Sequence, residues 1–329
     1  MTRVAVASRS FSKHPVLRAE LLARYPDTTF NETGRSLAGD ELVAFLQGHE
    51  KAITALEKIT DDLLAQVPGL KVIGKYGVGL DMIDLAALAR RGIRLGWSGG
   101  GNRRSVSELV IATAICLLRR IPEANALARD GQWRQVVGRQ LSGKTVGIIG
   151  CGHIGKDLVP LLRAFDCTVL AHDLLDFPIF YAAHRVRPVG LDTLLAESDV
   201  VTLHLPLDDS TRGLLSAARL ARLKPGALLI NTARGGLVDE AVVKALLQDG
   251  RLGGAAFDVF ANEPPEDLEL IRMPNVLVTP HIGGSAEEAV LAMGRAAIAG
   301  LDHHCLPTLD GTYPEQGIPP GPVRSSRIG

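Results

Sequence analysis

The segment "TVGIIGCGHIGK", residues 145–156, is an apolar, β-branched run that breaks into glycines and continues as a helix-like stretch. No other feature constrains the fold as strongly, because of both its pattern and its position. A strand that ends in G-x-G-x-x-G and opens a helix starts a parallel α/β unit whose backbone can approach a phosphate closely. Such a unit would show its glycines within the first few dozen residues if it began at the N-terminus, yet here they fall almost at the midpoint of 329 residues. Something else must occupy the stretch before them.

Composition narrows what that can be. The chain is 46% hydrophobic and 22% charged, enough to bury a large core, and its length suggests two domains. Lys and Arg together number 36, as do Asp and Glu, so the formal net charge is zero. No basic field exists to hold nucleic acid or an anionic membrane, and neither is expected as a partner. The opening "MTRVAVASRSF" is too short an apolar run for a signal peptide, and "LVIATAICLL" (109–118) falls short of a membrane span, so a cytoplasmic location is expected. Cys116, Cys151, Cys167 and Cys305 lack C-x-x-C spacing and read as reduced thiols; no metal site is predicted.

Short β-branched runs alternate with helix-length segments along the chain, the pattern of parallel α/β structure. Strands are predicted at 3–8, 71–77 and 93–97, separated by segments such as 40–48 and 82–91 with helical periodicity. The run "SGGGNRRSVS" (98–107) then interrupts the pattern, "ELVIATAICLLRRI" reads as a long apolar helix, and a domain crossover is placed there. Further strands are predicted at 145–149, 168–172, 199–205, 227–232, 253–259 and 275–279, which makes a doubly wound sheet. A helix from about 286 to 302 follows, and the Pro/Gly-rich "PEQGIPPGPVRSSRIG" is expected to be loose.

With 35 glycines in the chain, the bare glycine pattern is weak, and context has to carry it. Gly150, Gly152 and Gly155 follow an apolar strand and open a helix, which supplies a tight turn, room for a pyrophosphate and close helix–sheet packing. His153 lies within the turn, read as a loop residue beside the pyrophosphate, and Ile154 follows it. The next apolar run ends at Asp173, 23 residues after Gly150, near the spacing of a carboxylate that accepts from ribose hydroxyls. This is the Rossmann pattern. Asp173 would repel a 2′-phosphate and no Arg follows before Arg185, so NAD is expected rather than NADP.

Chemistry must come from the carboxyl ends of the later strands, where open α/β sheets bind ligands. Arg234 ends "GALLINTARGG", Glu263 follows "GAAFDVFANEP" and His281 ends "NVLVTPHIGG". Each alone has an ordinary explanation: a surface charge, a turn residue, a loop imidazole. Together they make an anion clamp, a carboxylate and an imidazole on one side of one sheet, a combination suited to hydride transfer coupled to proton transfer. Arg234 would hold a substrate carboxylate bidentately, His281 would exchange the hydroxyl proton, and Glu263 would fix the imidazole tautomer and stabilise the imidazolium.

The chain also resembles the D-isomer-specific 2-hydroxyacid dehydrogenase family, in "GVGLDMID" (77–84), "NRRSVSELVI" (102–111), "LSGKTVGIIGCGHIG" (141–155), "VVTLHLPLDDSTRGLL" (200–215), the long segment 223–265 and "NVLVTPHIGG" (275–284). The resemblance implies two Rossmann-like domains, with an NAD domain at 102–285 inserted into a discontinuous substrate domain formed by 1–101 and 286–329. Catalysis would take place in the cleft between them, and the mid-chain glycines follow from the insertion. It further implies that Arg234, Glu263 and His281 are the catalytic set, that Asp258 contacts the nicotinamide carboxamide, and that Pro206, Thr211, Thr232, Ala233 and Gly284 line the cofactor site. Gly77, Val78 and Gly79 would offer backbone N–H groups to the substrate carboxylate, with a plain tight strand–helix turn as the competing reading of the two glycines.

"NRRSVSELVI" is close to the pattern of the 3-phosphoglycerate dehydrogenase branch, so the substrate is expected to be a 2-hydroxy or 2-oxo acid that could bear a phosphate or phosphonate. Lys75, Arg103 and Arg104 are the candidate charges for such a tail, with plain solvation as the competing reading. A glyoxylate or hydroxypyruvate reductase is the alternative within the family, and an NAD-responsive corepressor scaffold the alternative outside it. A homodimer built through the cofactor domain, with the 108–120 helix crossing between subunits, is implied as well.

Overall fold

The computed structural model describes residues 2–314; the expected loose character of the C-terminal segment concerns residues that, from 315 on, lie outside this range. It divides into two compact units, residues 2–102 with 285–314, and residues 103–284.

The first unit runs β1 (Val4–Val6), α1 (Arg9–Lys13), α2 (Pro15–Arg24), β2 (Thr28–Phe30), α3 (Gly39–Leu46), β3 (Lys51–Thr54), α4 (Asp61–Gln66), β4 (Val72–Lys75), α5 (Leu85–Arg91) and β5 (Arg94–Gly96). Its five strands are all parallel, in the order β2-β1-β3-β4-β5. Ser8, Thr60 and Asp84 start α1, α4 and α5 by accepting a backbone N–H three residues on, and left-handed Gly92 ends α5. One face of the sheet buries Leu42, Leu46, Leu64 and Leu88; the other buries Phe11, Leu17 and Leu21 with Ala297 and Leu301.

The second unit begins with α6 (Arg103–Leu118) and α7 (Ile121–Arg129), then alternates β6 (Thr145–Ile149), α8 (His153–Ala164), β7 (Thr168–His172), α9 (Pro178–His184), β8 (Arg187–Pro188), α10 (Leu191–Glu197), β9 (Val200–Leu203), α11 (Ala217–Leu220), β10 (Ala227–Asn231), α12 (Glu240–Gln248), β11 (Leu252–Phe257), α13 (Leu268–Ile271) and β12 (Val276–Val278). The seven strands are parallel in the order β12-β11-β10-β9-β6-β7-β8, so the strand order reverses between β6 and β9. Two apolar clusters cover its faces, one drawn from α10 to α13 and the other from α6, α8 and α9. The last helix, α14 (Glu287–Gly300), belongs to the first unit. It lies against β4 and β5 so closely that a Cβ on Gly96 would come within 2.0 Å of the Gly300 carbonyl oxygen.

The α/β class and the parallel sheets agree with the sequence, and three strands were not foreseen. β2 is a half-buried "TTF", β3 starts with a charged Lys51, and β8 is two exposed residues, so none presents an apolar run. The helix expected from residue 108 begins at Arg103, which places Arg103 and Arg104 in its first turn rather than in a loop. It ends at Leu118, where Arg120 turns left-handed (φ 53°) and Pro122 opens α7. Among its own unit α7 buries no residue, and Trp133 and Val137 beyond it are exposed.

Candidate active site

The glycine turn sits at the reversal point of the second sheet. Gly150 has φ +96°, and a Cβ on it would lie 2.6 Å from the His204 carbonyl oxygen at the end of β9. Gly155 faces back on the turn, where a Cβ would lie 2.4 Å from the Gly150 carbonyl oxygen. Both are wedged against backbone. Gly152, the N-cap of α8, has nothing within 4 Å of its Cβ position. His153 proves to be the first residue of α8 rather than part of the turn, and the N–H groups of His153, Ile154 and Gly155 donate to no acceptor among the described residues. A twelve-residue helix therefore presents free donors and its positive dipole end to open space, a fitting cradle for a pyrophosphate.

Asp173 follows β7 and is bound to that turn: one carboxylate oxygen accepts the Cys151 N–H at 2.6 Å and the other the Leu175 N–H at 2.9 Å. Burial, then the Asp173 charge, pushes the Cys151 thiol up to about 12, so it stays protonated. At the end of β9, the His204 ring bonds the Thr202 hydroxyl at 3.0 Å, and burial drives its pKa down to about 3. The loop beyond is self-contained. Thr211 Oγ1 donates to the Pro206 carbonyl at 2.8 Å and accepts the Asp208 N–H at 2.9 Å, so this hydroxyl shapes the loop.

After β10, Asn231 bridges its own turn, accepting the Ala233 N–H at 3.1 Å and donating to the Arg234 carbonyl at 2.8 Å. Thr232 Oγ1 is buried beside it with no hydrogen-bond partner among the described residues, an orphaned polar atom of the kind a bound nucleotide would satisfy. Ala233 is buried, and half-buried Arg234 donates to the Ala233 carbonyl at 2.7 Å. A Cβ on Gly235 would lie 1.9 Å from the Phe260 carbonyl oxygen, so the Arg234 loop rests directly on the loop that carries Glu263.

Asp258, at the end of β11 and 3% exposed, collects three donors from a single loop. Its Oδ1 accepts the Thr279 hydroxyl at 2.6 Å and the Ile282 N–H at 2.8 Å; its Oδ2 accepts the Gly283 N–H at 2.8 Å. Its carbonyl also takes the His281 N–H at 2.9 Å. His281 is held at φ +54°, a left-handed conformation that a side chain adopts only where its surroundings enforce it. From there Nδ1 meets Glu263 Oε2 at 2.9 Å, while Glu263 Oε1 accepts the Phe260 N–H at 3.2 Å. With Nδ1 engaged by the carboxylate, Nε2 remains for proton exchange. Gly284 follows, half-buried, at the end of this unit.

The structure thus brings Arg234, Glu263 and His281 onto loops at one end of one sheet. Sequence reading missed three residues that hold these loops: Asn231, Gly235 and Gly283. The repeated glycines in "ARGG" and "HIGG" were the available signal for two of them.

The other candidates are placed differently. Arg104 forks onto Asp157 of α8 at 2.9 and 3.1 Å, and Arg103 lies 3.8 Å from the same carboxylate. In the first unit, Lys75 ends β4, is 5% exposed and donates to the Ala55 carbonyl. Gly77 (φ +117°), Val78 and Gly79 form the half-buried turn after it, and their N–H groups donate to no acceptor among the described residues.

Residues 111–283 match the family model for the NAD-binding domain of D-isomer-specific 2-hydroxyacid dehydrogenases. The D-3-phosphoglycerate dehydrogenase of Rattus norvegicus is 38% identical over 258 residues, covering 78% of this chain and 48% of that protein. The chain spans about half the length of the curated relatives it matches. Among solved structures, the TT0316 protein of Thermus thermophilus is 34% identical with a TM-score of 0.80, covering 92% of this chain and 95% of the other. A D-lactate dehydrogenase of Aquifex aeolicus, complexed with NAD and lactic acid, is 26% identical with a TM-score of 0.80, over 91% and 93% of the two chains. With its glycine turn, its Asp173 and its Arg, Glu and His loops on an NAD-binding sheet, the chain belongs to the D-isomer-specific 2-hydroxyacid dehydrogenase family.

Proposed function

We propose that this chain is an NAD-dependent oxidoreductase that interconverts a D-2-hydroxy acid and its 2-oxo acid. The observation that carries the reading is the 2.9 Å pair between His281 Nδ1 and Glu263 Oε2, on loops braced by Asp258 and Gly235. When bound, NAD supplies the hydride acceptor. The backbone of Gly150, Gly152, His153, Ile154 and Gly155 holds its pyrophosphate, Asp173 its ribose hydroxyls, and Pro206, Thr211, Thr232, Ala233, Asp258 and Gly284 line the rest of its site. Arg234 grips the substrate carboxylate, and in the first unit the backbone N–H groups of Gly77, Val78 and Gly79 are proposed as donors to a carboxylate. His281 Nε2 takes the hydroxyl proton as hydride leaves C2 and returns it in reduction; Glu263 fixes the Nδ1–H tautomer and stabilises the charge that forms. His281→Asn lowers kcat by about 10²–10⁴-fold with NADH affinity retained. A 340 nm assay and a fluorescence titration check this, and unchanged turnover removes His281 from the mechanism.

The relatives named D-3-phosphoglycerate dehydrogenase favour a phosphorylated substrate, with Lys75, Arg103 and Arg104 as the candidate charges for its tail. Equal kcat/KM for phosphohydroxypyruvate and hydroxypyruvate would reject that refinement. The apolar exposure of Trp133 and Val137 beside α7 supports a homodimer formed through the second unit. Sedimentation at 35.0 kDa would refute it. A cytoplasmic location accords with four free cysteines and would fail if the protein fractionated elsewhere.

A further inference from the structure

A Cβ on Gly77 would have only Lys75 Nζ within 4 Å, at 3.7 Å. Two glycines flank Val78, so its peptide planes could rotate at little steric cost. Among the described residues, one hydrogen bond opposes that rotation: the Trp97 indole N–H donates to the Val78 carbonyl at 2.9 Å. Val78 C=O and Gly79 N–H belong to one trans peptide and point in opposite directions. Holding the oxygen at Trp97 therefore aims the Gly79 N–H away from it, and accepting a hydrogen bond at the carbonyl also strengthens that N–H as a donor.

Trp97 is itself held. It follows β5, and the Tyr313 ring packs edge-on against it, 5.4 Å between centroids at 80°. The Tyr313 hydroxyl donates to the Leu95 carbonyl at 2.8 Å, and Leu95 exchanges two backbone hydrogen bonds with Cys305 at 2.9 and 3.1 Å. Burial, reinforced by Cys305, raises the Tyr313 pKa far above the usual phenol range, so the donor persists at any working pH. The chain after α14 thus returns to brace the indole.

We propose that Trp97, braced by Tyr313, is a positioning residue for substrate binding: it locks the Val78–Gly79 peptide in the orientation that presents the Gly79 N–H to the substrate carboxylate. This rests on the proposed function, in which that turn receives the carboxylate. Trp97→Phe keeps a packing ring and removes the N–H. If the freed peptide spends about nine-tenths of its time turned away, apparent substrate affinity falls about tenfold.

The expected result is a KM for the 2-oxo acid about tenfold higher, with kcat within about twofold and NADH affinity unchanged. An active variant with unchanged KM overturns the proposal. A second measurement does not depend on turnover. Labelling valine carbonyls with ¹³C and glycine nitrogens with ¹⁵N leaves NMR signals only from Val–Gly peptides, of which the sequence has four. In Trp97→Phe the Val78–Gly79 signal should move or broaden while the other three hold; a signal that stays in place overturns the lock. If wild-type protein reduces no 2-oxo acid, the proposed function falls, and the NMR result still decides whether the indole sets the peptide. If Trp97→Phe does not fold, Trp133→Phe leaves Trp97 as the sole tryptophan of the chain's two. Its emission should then shift when oxalate is added with saturating NAD, and an unmoved spectrum overturns the proposal.

Discussion

The loops at the carboxyl ends of the two sheets are held in different ways. In the second unit, backbone lies against backbone: Gly150 under the His204 carbonyl, Gly235 under the Phe260 carbonyl, and three donors of the His281 loop gathered on Asp258. In the first, a Cβ on Gly77 would meet only Lys75 Nζ, at 3.7 Å, and the Val78 carbonyl is held by the Trp97 indole N–H. Steric wedging tolerates no added atom, whereas a hydrogen bond can be lost with the fold intact. The second unit's site should therefore fail by destabilisation and the first unit's turn by misorientation.

The sharpest way to break this contrast is to add a methyl group to each turn. Gly150→Ala combines a positive φ with a backbone collision and should destabilise by about 4 kcal/mol or more, whereas Gly77→Ala carries only the conformational strain, about 1–3 kcal/mol. Denaturant melts that rank the two the other way round would refute the wedge. Asp258→Asn comes next: its amide turns two hydrogens toward donors, and the resulting loss should be about 1–3 kcal/mol, accompanied by a large loss of turnover as the His281 loop loosens.

A smaller effect comes from His204, which sits against Gly150. Its folded pKa of about 3 lies below the ordinary value of about 6.5, so stability is complete above pH 6.5 and declines as pH falls from 6.5 toward 3, where only the unfolded chain takes up the proton. The slope from this group is at most about 1.4 kcal/mol per pH unit. Melts of His204→Gln between pH 7 and 5 should show a flatter decline than wild type; parallel curves would mean the ring titrates normally. The smallest stability effect is expected for Gly152→Ala, which has an ordinary φ and no neighbour within 4 Å. Its melting temperature should hold while NAD affinity falls about tenfold, because the methyl takes space meant for the pyrophosphate. An unchanged dissociation constant would leave that open space without a ligand.

Much of the second unit could be read from the chain because its signals are local. A buried strand, a glycine turn and a helix follow one another within residues 145–164, and Asp173 lies one strand further on. β2, β3 and β8 were invisible for the opposite reason: their residues become strands only by pairing with neighbours from elsewhere in the chain. The same holds at the site. Arg234, Glu263 and His281 each stand out in a short motif, but that Glu263 meets Nδ1, and that Asp258 spends both oxygens on the His281 loop, depends on contacts across 18 to 25 residues.

Alternating runs and glycine spacing settled the parallel α/β class and the tight turn between β6 and α8, since hydrophobic periodicity and backbone sterics act between near neighbours and are written in order along the chain. Which imidazole nitrogen faces a carboxylate, which glycines bear on a distant carbonyl, and how an indole at 97 comes to hold a carbonyl at 78 emerged only on folding, because hydrogen bonds and close packing act over a few ångströms whatever the separation in sequence.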